Sequence, residues 1–171
     1  MDLSKLAPSD IVVALRGLER RYRGLFAGLG EDESPDDVAH RVAGGWSPIE
    51  HVVAAAWAIS AADRALAAVL RDDTPVLAAA DVDPEARPKP GAPSGNLHER
   101  LAELGIEANA MADRVEATPA DDWNRKGVIE GTGRTVTALD LARLAVDAGV
   151  THLRAAEDVL ARVRRAPPER T

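Results

Sequence analysis

The chain has no cysteine in its 171 residues. Disulfides, thiolate metal sites and a cysteine nucleophile are thereby excluded. Aromatic residues are almost as scarce, at 3%, although hydrophobic residues reach 46% and alanine supplies much of that share. Strands draw on β-branched and aromatic side chains, so an alanine-rich core points to closely approaching helices and away from a sheet sandwich. Positive charge is in deficit. The net charge of -7 and the pI of about 5.1 argue against nucleic acid or an anionic membrane as a partner. No stretch reaches the roughly 18 uninterrupted apolar residues of a membrane span. The nearest, after Ser47, is broken by Ser60 and by Asp63-Arg64. The start, Met1-Asp2-Leu3-Ser4-Lys5, lacks a signal-peptide apolar region. These absences predict a soluble cytoplasmic protein, and the length predicts one domain over residues 1–171.

The best-specified local structure present is Trp46-Ser47-Pro48-Ile49-Glu50-His51. Ser47 and Glu50 stand at the spacing of a capping box, where each side chain accepts a bond from the other's backbone N–H. Pro48 falls at the first helical position, where its missing N–H is harmless. Trp46 stands just outside, placed to staple the entering chain. Asn96 with Glu99 and Thr137 with Asp140 repeat the box pattern, and Ser9-Asp10 after Pro8 reads as a further cap. Apolar residues recur at three- and four-residue steps after each start. The spacing predicts helices over about 9–29, 47–70, 96–117 and 137–164. The fold class is therefore all-α, a four-helix bundle with a long crossover loop between the second and third helices. The second helix is apolar nearly all round, which suits a bundle centre or a subunit interface and predicts a homodimer. Val128-Ile129-Glu130 reads as a short strand or an extended pass, and Gly131-Thr132-Gly133 as a turn, since a phosphate cradle needs a strand before it and a helix after it.

Candidates for chemistry are few. None of the four histidines, His40, His51, His98 and His152, has another at i,i+4, so no single helix offers two metal ligands on one edge. Each suits a surface or interface position, or a site assembled from several helices. Asp147 lies beside the apolar seam of the last helix. If buried it needs a partner, which is an Arg or His from a neighbouring helix, a metal or a polar ligand.

Three segments resemble the DinB/YfiT-like family of bacterial helical bundles, whose relatives include mycothiol-dependent maleylpyruvate isomerase and other thiol-dependent transferases. Trp46-Ser47-Pro48-Ile49-Glu50 is similar to the family's Trp-Ser-x-x-Glu opening of the second helix. Asp122-Trp123-Asn124-Arg125-Lys126-Gly127 is similar to a segment before the last helix. Leu141-Ala142-Arg143 through His152-Leu153 resembles the last-helix segment. The resemblance implies a divalent metal, Zn or Ni, held by a histidine on the second helix and two ligands four apart on the last. Those positions fall here on Ala54, Asp147 and Thr151. Ala54 has no donor and Thr151 is a poor one, so no metal or other cofactor is expected at the usual site.

Two activities follow from the resemblance. One is a bundle that has lost its metal and serves as a small-molecule-binding or interaction protein, with Trp46, Glu50, His51, Trp57, Asp147 and His152 near the cleft. The alternative is a metal-dependent, mycothiol-type S-transferase or isomerase whose metal is displaced onto His51, Asp147 and His152. On an ideal helix His152 lies about 100° round from Thr151, which works against convergence of those three.

Overall fold

The structure is a computed structural model and describes residues 5–27, 45–84 and 96–165. His40, the acidic stretch 31–37, the expected end of the first helix at Leu29, the Pro-rich part of the crossover at 85–95 and the tail from 166 lie outside the described residues.

The first helical column consists of α1 (Pro8–Arg16) and α2 (Leu18–Phe26). One continuous helix was the expectation, and Gly17 divides it. Its backbone stays near the helical region, at φ -82° and ψ -11°, so the column bends without reversing. A glycine inside a helix weakens the turn it occupies by about 1 kcal/mol relative to alanine. The start also differs from the expected Ser9-Asp10 cap. Ala7 takes the N-cap position, and Asp10 reaches back to its N–H at 3.1 Å.

The other three columns begin where their boxes predict. In α3 (Pro48–Arg71), Ser47 N–H donates to Glu50 Oε2 at 2.6 Å and Glu50 N–H donates to Ser47 Oγ at 3.2 Å. In α5 (Leu97–Ala117), Asn96 and Glu99 exchange the same pair of bonds at 3.2 and 3.0 Å. Thr137 and Asp140 do so at 3.1 Å each ahead of α6 (Ala138–Arg165).

α3 packs chiefly on α6 and then on α5, while α1 and α2 pack on α5 and α6. The columns therefore run round the bundle as α1/α2, α5, α3, α6, and the first two columns in the chain stand diagonally opposed. Ile59 and Leu66 of α3, Leu104 and Met111 of α5 and Leu141 of α6 fill the shared interior with no measurable exposure. Fifteen of the 24 residues of α3 are buried within this single chain, so most of its apolar surface is consumed inside the bundle, with Trp57 left exposed. By length and hydropathy α3 passes as a membrane span, but 67% of its most apolar window is buried, as in a core helix.

A small sheet crosses one end. Strand β1 (Val76–Leu77) pairs in parallel with β2 (Lys126–Ile129), and β2 pairs antiparallel with β3 (Thr135–Thr137), in the order β1-β2-β3. A short helix, α4 (Ala79–Val82), follows β1, and a 3-10 turn (Ala120–Asn124) precedes β2. The expected all-α class gains this sheet without changing its bundle. Gly127 lets β2 lie close to the helices, because a Cβ there would meet Leu77 Cδ1 at 2.7 Å and Val69 Cγ2 at 3.0 Å. Arg125 fastens the sheet to the end of α3 by donating to the carbonyls of Val69 at 2.8 Å and Asp72 at 2.9 Å. Gly131 and Gly133 supply the positive φ angles, 76° and 66°, of the β2–β3 turn, so Gly131-Thr132-Gly133 is a hairpin turn.

Candidate functional site: an aromatic and imidazole cluster between α3 and α6

The capping box sets the geometry of this site. By fixing the first turn of α3, it puts Trp46 one residue before the cap and His51 at the fourth helical position. His152 comes from the middle of α6, which packs against α3. The three rings form a closed cluster. Ring centroids are 5.3 Å apart for Trp46 and His51, 5.6 Å for Trp46 and His152, and 5.5 Å for the two histidines. Trp46 and His152 are nearly parallel, with 14° between their planes, and these separations fall within the favourable range for aromatic pairs.

Nδ1 of His51 faces Nδ1 of His152 at 3.2 Å. A hydrogen bond between two imidazole nitrogens requires one to carry the proton and the other to offer its lone pair. At least one ring is therefore neutral, and when both are neutral they adopt opposite tautomers. Burial pushes the His51 pKa below its ordinary value of 6.5, with Glu50 opposing the shift. The burial comes in part from the packing of Trp46 and of His152 on α6, and the carboxylate from the residue beside His51 on α3. The low-dielectric packing disfavours an imidazolium, and the neighbouring carboxylate favours one.

The other expected cleft residues are placed differently. Glu50 is 1% exposed, and its carboxylate accepts the Ser47 N–H beneath the cluster. Asp147 is exposed, as is Thr151. Asp147 therefore needs no buried partner: it precedes His152 by five residues, which places it about 140° round α6 from the clustered imidazole. Trp57 is 46% exposed and makes no ring contact with the trio. It follows His51 by six residues, about 120° round α3. His98 is exposed on α5. Ala54 is 8% exposed and offers no ligating atom. The predicted set thus divides. Trp46, His51 and His152 assemble over Glu50, whereas Asp147 and Trp57 stand apart.

The chain also has a separate concavity that its sequence does not announce. A cleft of about 400 Å³ lies between α4, the β2–β3 hairpin and the start of α6, where Arg134 and Asp140 face an apolar floor that includes Val82, Ile129 and Leu144. Its residues come from two stretches some fifty positions apart, so no local spacing marks them.

No family model and no curated protein matches the chain. Among solved structures it is similar to YfiT from Bacillus subtilis, described as a probable metal-dependent hydrolase with an unusual four-helix bundle topology. The likeness has a TM-score of 0.76 at 13% identity and covers 93% of this chain and 89% of that one. The fold is that of the YfiT-type bundle. The diagonal placement of the first two columns distinguishes this chain from an up-and-down bundle.

A metal centre in a YfiT-type bundle requires converging donors, and the described residues do not fit one with three protein ligands. Among the described residues no group of three or more His, Asp or Glu side chains is placed to hold an ion. Two imidazoles converge, Asp147 and Thr151 are exposed, and Ala54 contributes nothing.

Proposed function

We propose that this YfiT-type bundle acts as a small-molecule-binding or interaction protein and does not use a three-ligand metal centre. The observation that carries the reading is the donor set. The position that would supply an imidazole from α3 is Ala54, 8% exposed, and the α6 positions Asp147 and Thr151 are exposed. The α3–α6 junction instead carries Trp46, His51 and His152, which pack on one another as a half-buried aromatic and imidazole patch. Such a surface suits a small ligand with an apolar or planar body and a hydrogen-bonding group. Alanine in place of an imidazole at position 54 removes bulk from the same region of α3.

The competing reading starts from the metal dependence ascribed to YfiT of B. subtilis. It makes this chain a metal-dependent hydrolase, or a mycothiol-type S-transferase or isomerase, with a metal displaced onto His51 and His152. The 3.2 Å approach of their Nδ1 atoms favours it, and the lack of a third converging donor among the described residues counts against it.

Metal analysis and a thermal-shift panel separate the two. Protein purified without chelator and then offered Zn or Ni is expected to retain no stoichiometric metal. It is expected to rise in Tm with at least one thiol or planar small molecule, because a ligand that binds only the native state stabilises it by mass action. Stoichiometric metal lost on His152→Ala would establish the competing reading. A flat response to thiols, planar compounds and metals would leave an interaction role. We include a homodimer in the proposal, with exposed Trp57 as its marker. A monomer by sedimentation at micromolar concentration excludes it.

A further inference from the structure

We infer that the His51–His152 hydrogen bond, packed against Trp46, is a metal-free cross-link that pins the start of α3 to the middle of α6. The inference begins from the mismatch just described. A metal bridging two helices of a bundle fixes their separation through its ligands. Here the positions expected to do so contribute no converging donor set, yet α3 and α6 still meet through imidazoles 101 residues apart in sequence. The 3.2 Å approach of two Nδ1 atoms is a hydrogen-bond distance. It forms with no ion, provided one nitrogen is protonated and the other is not. Trp46 packs beside them: it stacks on His152 at 5.6 Å and lies tilted against His51 at 5.3 Å. It is anchored in turn by the buried Ser47–Glu50 box immediately after it. The cross-link therefore has three parts, with a cap fixing the tryptophan, the tryptophan packing on both imidazoles and the imidazoles joining the helices.

The inference does not require any ligand to bind, so its test is independent of the ligand panel. Wild-type protein, His51→Ala, His152→Ala and the double variant are unfolded in urea at pH 7.5, each with EDTA and with added Zn. The expected result is coupling. The double variant loses less stability than the two single losses combined, by about fivefold in the unfolding equilibrium constant, the size of one neutral hydrogen bond. EDTA and Zn leave the wild-type midpoint unchanged. Additive single losses, or a wild-type midpoint raised by Zn and lowered by EDTA, would overturn the inference. A second measurement on wild-type protein alone decides the matter if a variant does not fold. Nitrogen NMR of the imidazoles in EDTA is expected to show one Nδ1–H tautomer, with a ¹⁵N–¹⁵N coupling to the other ring's Nδ1. Two Nε2–H tautomers with no such coupling refute the cross-link.

Discussion

Replacing Gly149 by alanine sets two effects of known size against each other. In the interior of a long helix the substitution is favourable by about 1 kcal/mol, because alanine has less backbone freedom to lose. Against this stands the space available. A Cβ at position 149 of α6 would come within 2.6 Å of Leu18 Cδ2, 3.3 Å of Leu18 Cδ1 and 3.6 Å of Ile59 Cδ1. Carbon atoms rest at about 3.5–4.0 Å, so Leu18 would have to retreat by about 1 Å. It is 2% exposed and has no solvent to retreat into. Overpacking of this kind costs about 1–3 kcal/mol, and the shortest contact puts this case in the upper half of that range. The net expectation is a loss of about 1–2 kcal/mol, which lowers Tm by about 2–8 °C in a chain of this length. Gly24→Ala is the control. It sits in α2 with nothing within 4 Å of the new Cβ, so only the favourable effect operates, and stability should rise by about 0.5–1 kcal/mol. Urea unfolding of both variants beside wild type reads the two signs directly. A Gly149→Ala protein as stable as Gly24→Ala would refute the claim that the α2–α6 junction is rigidly packed.

Other perturbations reach the candidate site and its supports. Ser47→Ala should lower stability by about 1–2 kcal/mol by thermal melting, since the buried Glu50 N–H loses its acceptor, and Ser47→Thr should restore most of it. Arg125→Ala should cost about 1–3 kcal/mol in urea unfolding by leaving the Val69 and Asp72 carbonyls without this donor, and Arg125→Lys should rescue little because an ammonium lacks the fork. The pH dependence follows from His51, whose folded pKa lies below 6.5 while the unfolded chain keeps the ordinary value. Between those two values the unfolded state binds a proton that the folded state refuses, so stability is fully present above 6.5 and falls as pH drops through the folded pKa. Urea midpoints measured from pH 7.5 to 5 should show this fall in wild type, and the slope should shrink in His51→Gln.

What the sequence discloses is what it encodes locally. Ser47 with Glu50, Asn96 with Glu99 and Thr137 with Asp140 each operate within three residues, and each begins its helix as expected. The sheet was mostly hidden. Val128-Ile129-Glu130 reads as a short strand or an extended pass, but β1 has two residues and finds its parallel partner some fifty positions later. Gly17 carries no mark that distinguishes a bend from a tolerated helical glycine. The cluster was half legible. Trp46 and His51 belong to one recognisable turn, but contact with His152 depends on how α3 crosses α6, and an ideal-helix angle measured along α6 alone is silent on that crossing. The same limitation explains Asp147 and Trp57. Position beside an apolar stripe does not fix which flank turns to water.

The Tyr22 hydroxyl donates to the Gly149 carbonyl at 3.0 Å, across 127 residues of chain, and Arg143 reaches back to the Leu6 carbonyl across 137. The earliest helices thus take their final partners from the latest one. On the ribosome, at about 5–20 residues per second, Tyr22 waits about 6–25 s before Gly149 has even been made. Through that interval α1 and α2 lack the part of their native cover that α6 supplies, the larger part coming from α5. The bundle cannot close around the first column until α6 has been made.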